Sequence, residues 1–365
     1  MPKVVIDAVN SHFQLEVMRG GYEAADIAKD QIKDFYRLAA ELVHCQPSEI
    51  AFLENATRAW DMVFYSIPFK PGDRILTAKA EYASNYIAFL QIAKKTGAVI
   101  EVIPNDANGQ LCLSSMEQMI DARVKLISIT HVPTQGGLIN PAESVGIIAK
   151  AYNIFYLLDA TQSVGQMPID VEKIQCDALC ATGRKFLRGP RGTGFLYVRK
   201  SKLHQLEPPF LDLLSAQLTS INEYKINPDS TRFETWERNY SNLLGLKSAI
   251  EYALSLGLEN TWSRIQLLAH SLRRSLSSIP GVTIRDLGKN KCGIVTFTVD
   301  GVEPLDLCLQ LRKKGINVSV SLAAYARLDL EERGLPSLVR ASVHYYNTDE
   351  EIARFCQEIA HAAKN

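Results

Sequence analysis

Short apolar runs alternate with longer amphipathic segments between residues 74 and 198, and this alternation constrains the fold most. The strand-like runs are RILTA (74–78), AVIEVI (98–103), VKLISIT (124–130), IFYLL (154–158), DALCAT (177–182) and GFLYV (194–198). Helical spacing of apolar residues predicts helices over 85–96 and 141–152, the second capped by Asn140. Strands that alternate with helices form a mostly parallel sheet covered on both faces. We therefore predict an α/β fold whose ligands bind beyond the carboxyl ends of the strands, at loops 131–140 and 159–165.

The pattern changes after residue 240. Long helices are predicted over 243–256 and 261–279, followed by strand-like runs at 293–300, 316–321 and 339–346, a helix over 304–314 and a terminal helix that carries Ile352, Phe355 and Ile359. A chain of 365 residues holds about two domains at ~150 residues each. We predict a large domain over 15–238 and a smaller α/β domain over 1–14 and 239–365.

Charge, apolar run length and cysteine spacing exclude several classes of protein. Forty Lys+Arg balance forty Asp+Glu, so no global field favours nucleic acid as a partner. Apolar runs such as 154–158 are far shorter than the ~20 residues of a membrane span, and without a secretory signal we expect a cytoplasmic protein. Cys176 and Cys180 have no second cysteine pair or close histidine pair nearby, so no metal site is predicted.

Residues 156–200 carry the strongest chemical signal. Lys185 follows Arg184 in a Gly-flanked loop, and positive charge with partial burial lowers an amine pKa, so that the amine can form an imine with an aldehyde cofactor. Asp159 ends a buried run, where a carboxylate is costly unless it meets a cation such as a pyridinium nitrogen. Gln162 lies three residues further on. The alternatives for Lys185 are a solvated basic loop with Arg188 and Arg191 or a generic phosphate contact, and the alternative for Asp159 is a helix N-cap.

A phosphate site is also predicted. The segment LENATRAW (53–60) places Asn55, Ala56 and Thr57 at the start of a helical run, where backbone N–H groups and a threonine hydroxyl can bind phosphate. The glycine fingerprint of dinucleotide sites is not found, because GPRGTG (189–194) precedes a strand rather than a helix. This pattern speaks against NAD.

From about residue 20 onward, LLDATQ (157–162) and ATGRKF (181–186) resemble the class V aminotransferase and cysteine desulfurase superfamily of pyridoxal phosphate enzymes. The resemblance implies PLP-dependent transferase fold type I with a mostly parallel, seven-stranded type of sheet, pyridoxal 5'-phosphate as cofactor, and a homodimer. The implied cofactor contacts are Asp159 on the ring nitrogen, Gln162 on the phenolic oxygen, Thr182 near the phosphate, Tyr82 stacked on the ring, and Lys185 as the Schiff base.

The resemblance also bears on Arg184, Tyr82 and Arg340. The family histidine before the lysine is Arg184 here, and an arginine still suits a phosphate partner. Tyr82, in AEYASNYIAF (80–89), could instead pack in the core. In the closing segment LVRASVHYYNTDEEI (338–352), the resemblance assigns Arg340 to the substrate carboxylate, which its planar fork can bind bidentately; the alternative is an exposed strand arginine.

The sequence departs from the desulfurase pattern in several places. Residues 319–336 contain no cysteine, so persulfide formation there is not expected. HVPTQGG (131–137) lacks the family asparagine near the ring, so Thr134 or Gln135 serves instead or the contact is lost. RFETWERN (232–239) replaces the segment that lends a threonine to the partner's phosphate site, and does not show which residue serves instead. The family's first two dozen or so residues precede the start of this sequence, so we expect a truncated start or a more open site.

The overall pattern looks most like the carbon–sulfur lyases that finish ergothioneine synthesis. The resemblance therefore implies β-elimination from a cysteine-type conjugate or sulfoxide, with Lys185 as the base at Cα and with pyruvate and ammonia as products. Two alternatives stay open at this stage. One is an aminotransferase or amino-acid racemase on the same scaffold; the other is a two-domain binding protein or nucleotide oxidoreductase in which Lys185 is structural.

Overall fold

The structure, a computed structural model, describes residues 1–364. Its helices are α1 (Lys3–Arg19), α2 (Gly21–Ile27), α3 (Lys29–Val43), α4 (Ala56–Phe64), α5 (Ala83–Thr96), α6 (Leu113–Gln118), α7 (Ala142–Ala151), α8 (Val171–Ile174), α9 (Tyr240–Leu256), α10 (Leu258–Ser277), α11 (Pro304–Lys313), α12 (Arg327–Leu330) and α13 (Asp349–Ala362). Its strands are β1 (Ile50–Leu53), β2 (Arg74–Ala78), β3 (Val99–Ile103), β4 (Val124–Thr130), β5 (Phe155–Asp159), β6 (Ala178–Thr182), β7 (Gly194–Val198), β8 (Ala216–Ser220), β9 (Glu223–Ile226), β10 (Val282–Ile284), β11 (Ile294–Val299), β12 (Ser319–Leu322) and β13 (Ser337–Ser342).

A seven-stranded sheet forms the centre of the large domain, in the order β1-β7-β6-β5-β4-β2-β3. The pairs β3–β2, β2–β4, β4–β5 and β5–β6 are parallel, whereas β7 runs antiparallel to both β6 and β1. The predicted α/β fold with a mostly parallel sheet is therefore confirmed, and each strand-like run between 74 and 198 is a strand. In register, Thr130 pairs with Asp159 and Asp159 with Cys180, so these carboxyl ends meet at one edge.

Both faces of this sheet are covered, which explains why its central strands are continuous apolar runs. One face packs against α3, α7 and α9, and the other against α4 and α5. On the second face Trp60 stacks on Phe64 with ring centroids 4.6 Å apart, and both rings contact Phe89 edge-on. Strand β1 is apolar and fully buried, but its four residues are too few for periodicity to distinguish strand from helix.

A second sheet forms the small domain, in the order β10-β11-β13-β12 with every pairing antiparallel. Helices α10, α11 and α13 pack against it, and Ile352, Phe355 and Ile359 of α13 are buried there. The domain boundary at residue 238 stays a prediction. Buried side chains of α9, including Leu243 and Ile250, pack in the core of the large sheet, and α1 packs along α9.

The prediction that Asn140 caps α7 is wrong. Helix α7 begins at Ala142 with Pro141 in the capping position and no side-chain cap. The Asn140 amide instead donates to the Thr130 carbonyl at 2.7 Å, and its backbone N–H donates to the His131 carbonyl at 2.8 Å. The Nδ2 bond therefore holds the side chain against the end of β4, and its Oδ1 accepts from no N–H group of α7.

The small domain also holds the loops at the carboxyl edge of the large sheet. The Gly293 N–H donates to Gln166 Oε1 at 2.6 Å, and the Cys292 N–H donates to the Gly137 carbonyl at 2.8 Å. Arg188 donates to the Tyr345 hydroxyl at 2.8 Å. These contacts fix the loops after β4, β5 and β6 against one another.

Neither a membrane span nor a metal cluster is found in residues 1–364. No helix there combines the length and the apolar character needed to cross a bilayer. No group of three or more His, Cys, Asp or Glu side chains converges on a common point in the same residues.

Candidate active site

A cavity of about 440 Å³ opens at the carboxyl edge of the large sheet. Its lining includes every site residue predicted from the sequence except Arg340: Asn55, Ala56, Thr57, Tyr82, Thr134, Asp159, Gln162, Thr182, Arg184 and Lys185. Residues from five loops and helix starts, distant in the chain, are thus brought to one place. The topology does this because the carboxyl ends of parallel strands share an edge.

Lys185 follows β6 in the loop that the sequence singled out. The pKa of its amine is lowered to about 8: burial is the largest cause, the negative charge of Asp159 opposes it, and the positive charges of Arg184 and Arg340 act with burial. The two causes expected from the sequence both act, and burial is the larger. At pH 8 a substantial fraction of this amine is neutral, and a neutral amine is the nucleophilic form.

Asp159 ends β5 and is only 5% exposed. Its Oδ1 accepts from the Thr161 N–H at 2.9 Å and its Oδ2 accepts from the Asn85 amide at 3.0 Å. The residues after Asp159 form turns rather than an α-helix, so the side chain closes a turn and caps no helix. The carboxylate is thereby oriented at the wall of the cavity that it shares with Lys185.

Glu81 and Asn85 support Asp159 from behind, and sequence reasoning missed both. The Asn85 Nδ2 group donates to Asp159 Oδ2 and also, at 2.9 Å, to Glu81 Oε1. Glu81 Oε1 further accepts from the Thr130 hydroxyl and the Tyr82 N–H, both at 2.6 Å. Burial raises the pKa of Glu81 to about 7, and the nearby charge of Asp159 raises it as well.

The sequence held a weak signal for this pair. Glu81 and Asn85 are spaced i and i+4 around the start of α5, which suits a shared network. An acid in a polar turn is usually exposed, however, so only the tertiary structure shows that Glu81 is buried.

The start of α4 forms another wall of the cavity. Asn55 Oδ1 accepts from the Arg58 N–H at 2.9 Å and caps the helix. The first N–H groups of a helix have no intrahelical partner and favour an anion. A Cβ atom at Gly194 would lie 2.6 Å from the Ala181 carbonyl oxygen and 2.9 Å from the Asn55 carbonyl carbon, so only glycine lets α4 begin this close to the sheet.

Thr134 connects the cavity with Arg340. Its hydroxyl accepts from the Gln162 amide at 3.0 Å and from Arg340 Nη1 at 2.7 Å. Of the two residues that the sequence left open for this position, Thr134 lines the cavity and Gln135 does not. Tyr82 is 40% exposed at the start of α5, which does not fit core packing.

Arg340 lies on β13 of the small domain, beside a second cavity that also borders Tyr82 and Thr134. Burial lowers the pKa of its guanidinium, as does the charge of Arg184, although an arginine keeps its proton in proteins. Its Nε is buried and has no hydrogen-bond partner within residues 1–364. A buried donor of this kind is costly unless a ligand satisfies it.

The donor set fits pyridoxal phosphate, the group that the sequence resemblance implies. The lining combines an amine of lowered pKa, an oriented carboxylate and a capped helix start. It also contains Thr161, whose Oγ1 is buried without a partner in the described part of the chain. An aldehyde, a cationic ring nitrogen and a phosphate each find a complementary group there.

Comparison with known families and proteins agrees with this chemistry. The family described as Aminotransferase class-V matches residues 1–355. A probable cysteine desulfurase from Pyrococcus abyssi is 30% identical in an alignment of 365 positions that spans 97% of this chain and 89% of the relative. A probable cysteine desulfurase from Methanothermobacter thermautotrophicus is 29% identical, covering 96% and 89% respectively.

Solved structures match along the whole chain. The apo structure of a cysteine desulfurase from Thermococcus onnurineus NA1 has a TM-score of 0.93 at 28% identity and covers 100% of this chain and 92% of that one. The cystine C–S lyase C-DES, in complex with cysteine persulfide, has a TM-score of 0.89 at 22% identity, covering 99% and 94%. The expected fold type I is therefore confirmed.

Lys185 should react as an amine of unusually low pKa. In protein without cofactor, its modification by an amine reagent, followed by peptide mass spectrometry, should show a midpoint near pH 8. Asp159→Asn should move the midpoint down, because it removes a negative charge, and Arg184→Gln should move it up. A midpoint near the ordinary lysine value of about 10.4 would contradict the buried position of the amine.

Glu81 should make the stability of the cofactor-free protein depend on pH. Its pKa of about 7 in the folded chain exceeds the ordinary 4.5, so the folded state binds more protons between these values and stability falls as pH rises through them. The full loss is about 3 kcal/mol.

Glu81→Gln removes this dependence, so the urea midpoint of the wild type should fall relative to that of the variant between pH 5 and pH 8. Glu143→Gln, a change at an exposed glutamate, should leave the pH dependence unchanged. Parallel curves for wild type and Glu81→Gln would contradict a raised pKa at Glu81.

Proposed function

The chain belongs to the class-V aminotransferase family of pyridoxal phosphate enzymes, and from this membership we propose that it cleaves a carbon–sulfur bond of a cysteine-type amino acid by β-elimination. The observation that carries the proposal is a buried amine of lowered pKa, Lys185, in the first cavity, with Arg340 beside the adjoining second cavity. Within residues 1–364, no cysteine lines either cavity. The products would be pyruvate, ammonia and a sulfur-containing leaving group.

The cofactor would be held by the residues that line the first cavity. Lys185 would attach it covalently, and Asp159, oriented by Asn85, would meet the ring nitrogen. The start of α4, with Thr182 and Arg184, would bind the phosphate. Tyr82 would cover the ring face and Gln162 would donate to the phenolic oxygen. When bound, pyridoxal phosphate supplies an electron sink that stabilises negative charge at the substrate Cα.

Lys185 is also the group best placed to move the Cα proton. Its pKa of about 8 lets it accept a proton near neutral pH and return it later. The Arg340 fork would hold the α-carboxylate, and Thr134 would fix that fork through its hydroxyl and its carbonyl, at 2.7 and 3.2 Å. The small domain would thus bind the substrate carboxylate, and the large domain would supply the acceptor of the Cα proton.

Elimination is favoured over transfer of sulfur to a cysteine. The seven cysteines occupy positions 45, 112, 176, 180, 292, 308 and 356, and within the described residues none of them lines either cavity beside Arg340 and Lys185. The sulfur would therefore leave together with the substituent that it carries in the substrate. Loss of the Cα proton and of the sulfur anion from Cβ gives 2-aminoacrylate, which water converts to pyruvate and ammonia.

The reaction is tested by its products. Cofactor-loaded protein is mixed with S-alkylcysteines, their sulfoxides, cystine and cysteine, and pyruvate is assayed with lactate dehydrogenase. Wild type should release pyruvate, and Lys185→Ala should release none, whereas Lys125→Ala, at an exposed lysine, should match wild type. A keto acid that retains the substrate side chain, or an inverted substrate without pyruvate, would instead indicate an aminotransferase or a racemase.

Arg340→Ala should raise KM while leaving cofactor attachment intact. Loss of a buried charged partner costs about 2 kcal/mol or more, which corresponds to a ~30-fold rise in KM. Arg340→Lys should recover only part of this, because a lysine keeps the charge but lacks the planar fork. The measurements are KM and the visible spectrum of the cofactor. Arg327→Ala, at an exposed arginine, is the control, and an unchanged KM in Arg340→Ala would remove Arg340 from this role.

We also propose a homodimer, which the sequence resemblance implies. Apolar side chains of the β8–β9 hairpin are exposed, notably Leu218, Ile221 (94% exposed) and Tyr224. Sedimentation analysis should give twice the chain mass of 40.6 kDa. Residues 232–239 pack partly into the large domain, where the buried Glu234 accepts a hydrogen bond from the Tyr36 hydroxyl. The cytoplasmic location expected from the sequence stays a prediction.

A further inference from the structure

A second cavity of about 420 Å³ adjoins the first and shares Tyr82 and Thr134 with it. Its walls come from the start of α5 and from the small-domain segment 320–326. Once the first cavity holds the cofactor, the second is the space that continues from it past Arg340. Apart from the proposed carboxylate contact at Arg340, neither the sequence motifs nor the proposed reaction assigns a role to it.

The walls of the second cavity are mainly apolar. Ile87 is 66% exposed, Leu322 is 41% exposed and Tyr325 is 61% exposed, and Val320 and Ala326 complete this side. Large apolar side chains exposed together around one opening usually mark a binding site. Among the described residues that line it, Arg340 is the one that carries a charge.

The carboxylate site and the apolar wall are held at a fixed spacing. Strand β12 pairs with β13 so that Ser319 stands opposite Arg340 and Val320 opposite Val339. The turn after β12 is tied back by the Ala323 N–H, which donates to the Pro336 carbonyl at 2.9 Å. Arg340 and residues 320–322 therefore lie on one hydrogen-bonded strand pair, and the turn at 323–326 is tied to it. This wall can thus measure the length of a substrate whose carboxylate is bound.

Resting on the proposed function, we propose that the second cavity binds an apolar substituent on the sulfur of the substrate, so that the enzyme selects S-alkyl or S-aryl cysteines. The chemistry of the walls argues for this class. Cystine or a peptide thioether would place a second ammonium or carboxylate group against Ile87 and Leu322. Within residues 1–364, no acidic side chain lines this cavity to pair with the ammonium, and Arg340 is the one cation that could pair with the carboxylate.

Binding can be measured separately from elimination with analogues that lack a leaving group. Norvaline and 2-aminoheptanoate replace the sulfur of S-methylcysteine and S-propylcysteine by a methylene. Their dissociation constants with cofactor-loaded protein are measured by calorimetry. Each methylene buried against apolar walls tightens binding about fourfold, so 2-aminoheptanoate should bind at least tenfold more tightly than norvaline.

A matched pair of variants locates the effect. Ile87→Asn changes a residue that lines the cavity, whereas Leu90→Asn changes a residue of the same helix that is 51% exposed and does not line it. Ile87→Asn should remove most of the preference for 2-aminoheptanoate, and Leu90→Asn should keep it. Leu322→Asn, on the opposite wall, should act like Ile87→Asn.

The outcomes separate this inference from the proposed reaction. Equal affinities for norvaline and 2-aminoheptanoate, or equal losses in the Ile87 and Leu90 variants, would overturn the subsite. A change of oligomeric state in Ile87→Asn with unchanged selectivity would show that a second copy covers the wall, and would overturn it too. A retained chain-length preference without pyruvate from any S-alkylcysteine would reject the elimination and support the binding site.

Discussion

A carboxylate at Asp159 and an amine at Lys185 share one cavity without either being freely solvated, and the site depends on the cost of burying them. Burial destabilises the charged form of the amine and is the largest cause of its lowered pKa of about 8. The sheet positions them: Asp159 ends β5, its neighbour β6 leads into the Lys185 loop, and the two strands are parallel and adjacent. A chain of this topology places its most reactive groups where backbone dipoles and loops can orient them.

The sequence predicted the features that depend on local pattern, such as the strands. It failed for side chains whose role depends on contacts between distant parts of the chain. Strand β5 was identifiable because a strand buried on both faces is a continuous apolar run. Asn140 was misassigned because an asparagine before a helix often caps it. Here its amide group donates to the Thr130 carbonyl instead. Glu81 was overlooked because no periodicity reveals that an acid in a turn is buried.

The contact between Arg340 and Thr134 is another long-range feature that the sequence does not reveal. The resemblance gave Arg340 a role, but no pattern in the sequence shows that its guanidinium is tied to Thr134, 206 residues earlier. That contact joins the small domain to a loop of the large sheet, so the proposed carboxylate site would depend on both. The same holds for Gln166, which accepts from Gly293, so the loops that carry Asp159 and Gln162 are held partly by the small domain.

The Asn85 amide bridges Glu81 and Asp159, two acids whose negative charges repel each other. Its two N–H donors serve Glu81 and Asp159, so neither carboxylate can turn away without leaving a donor unpaired. The charge of Asp159 helps to keep Glu81 protonated up to about pH 7. A cationic ring nitrogen beside Asp159 would offset that charge and favour the ionised form of Glu81. The buried acid behind the site therefore responds to what the cavity contains, through an amide that is held in place from both ends.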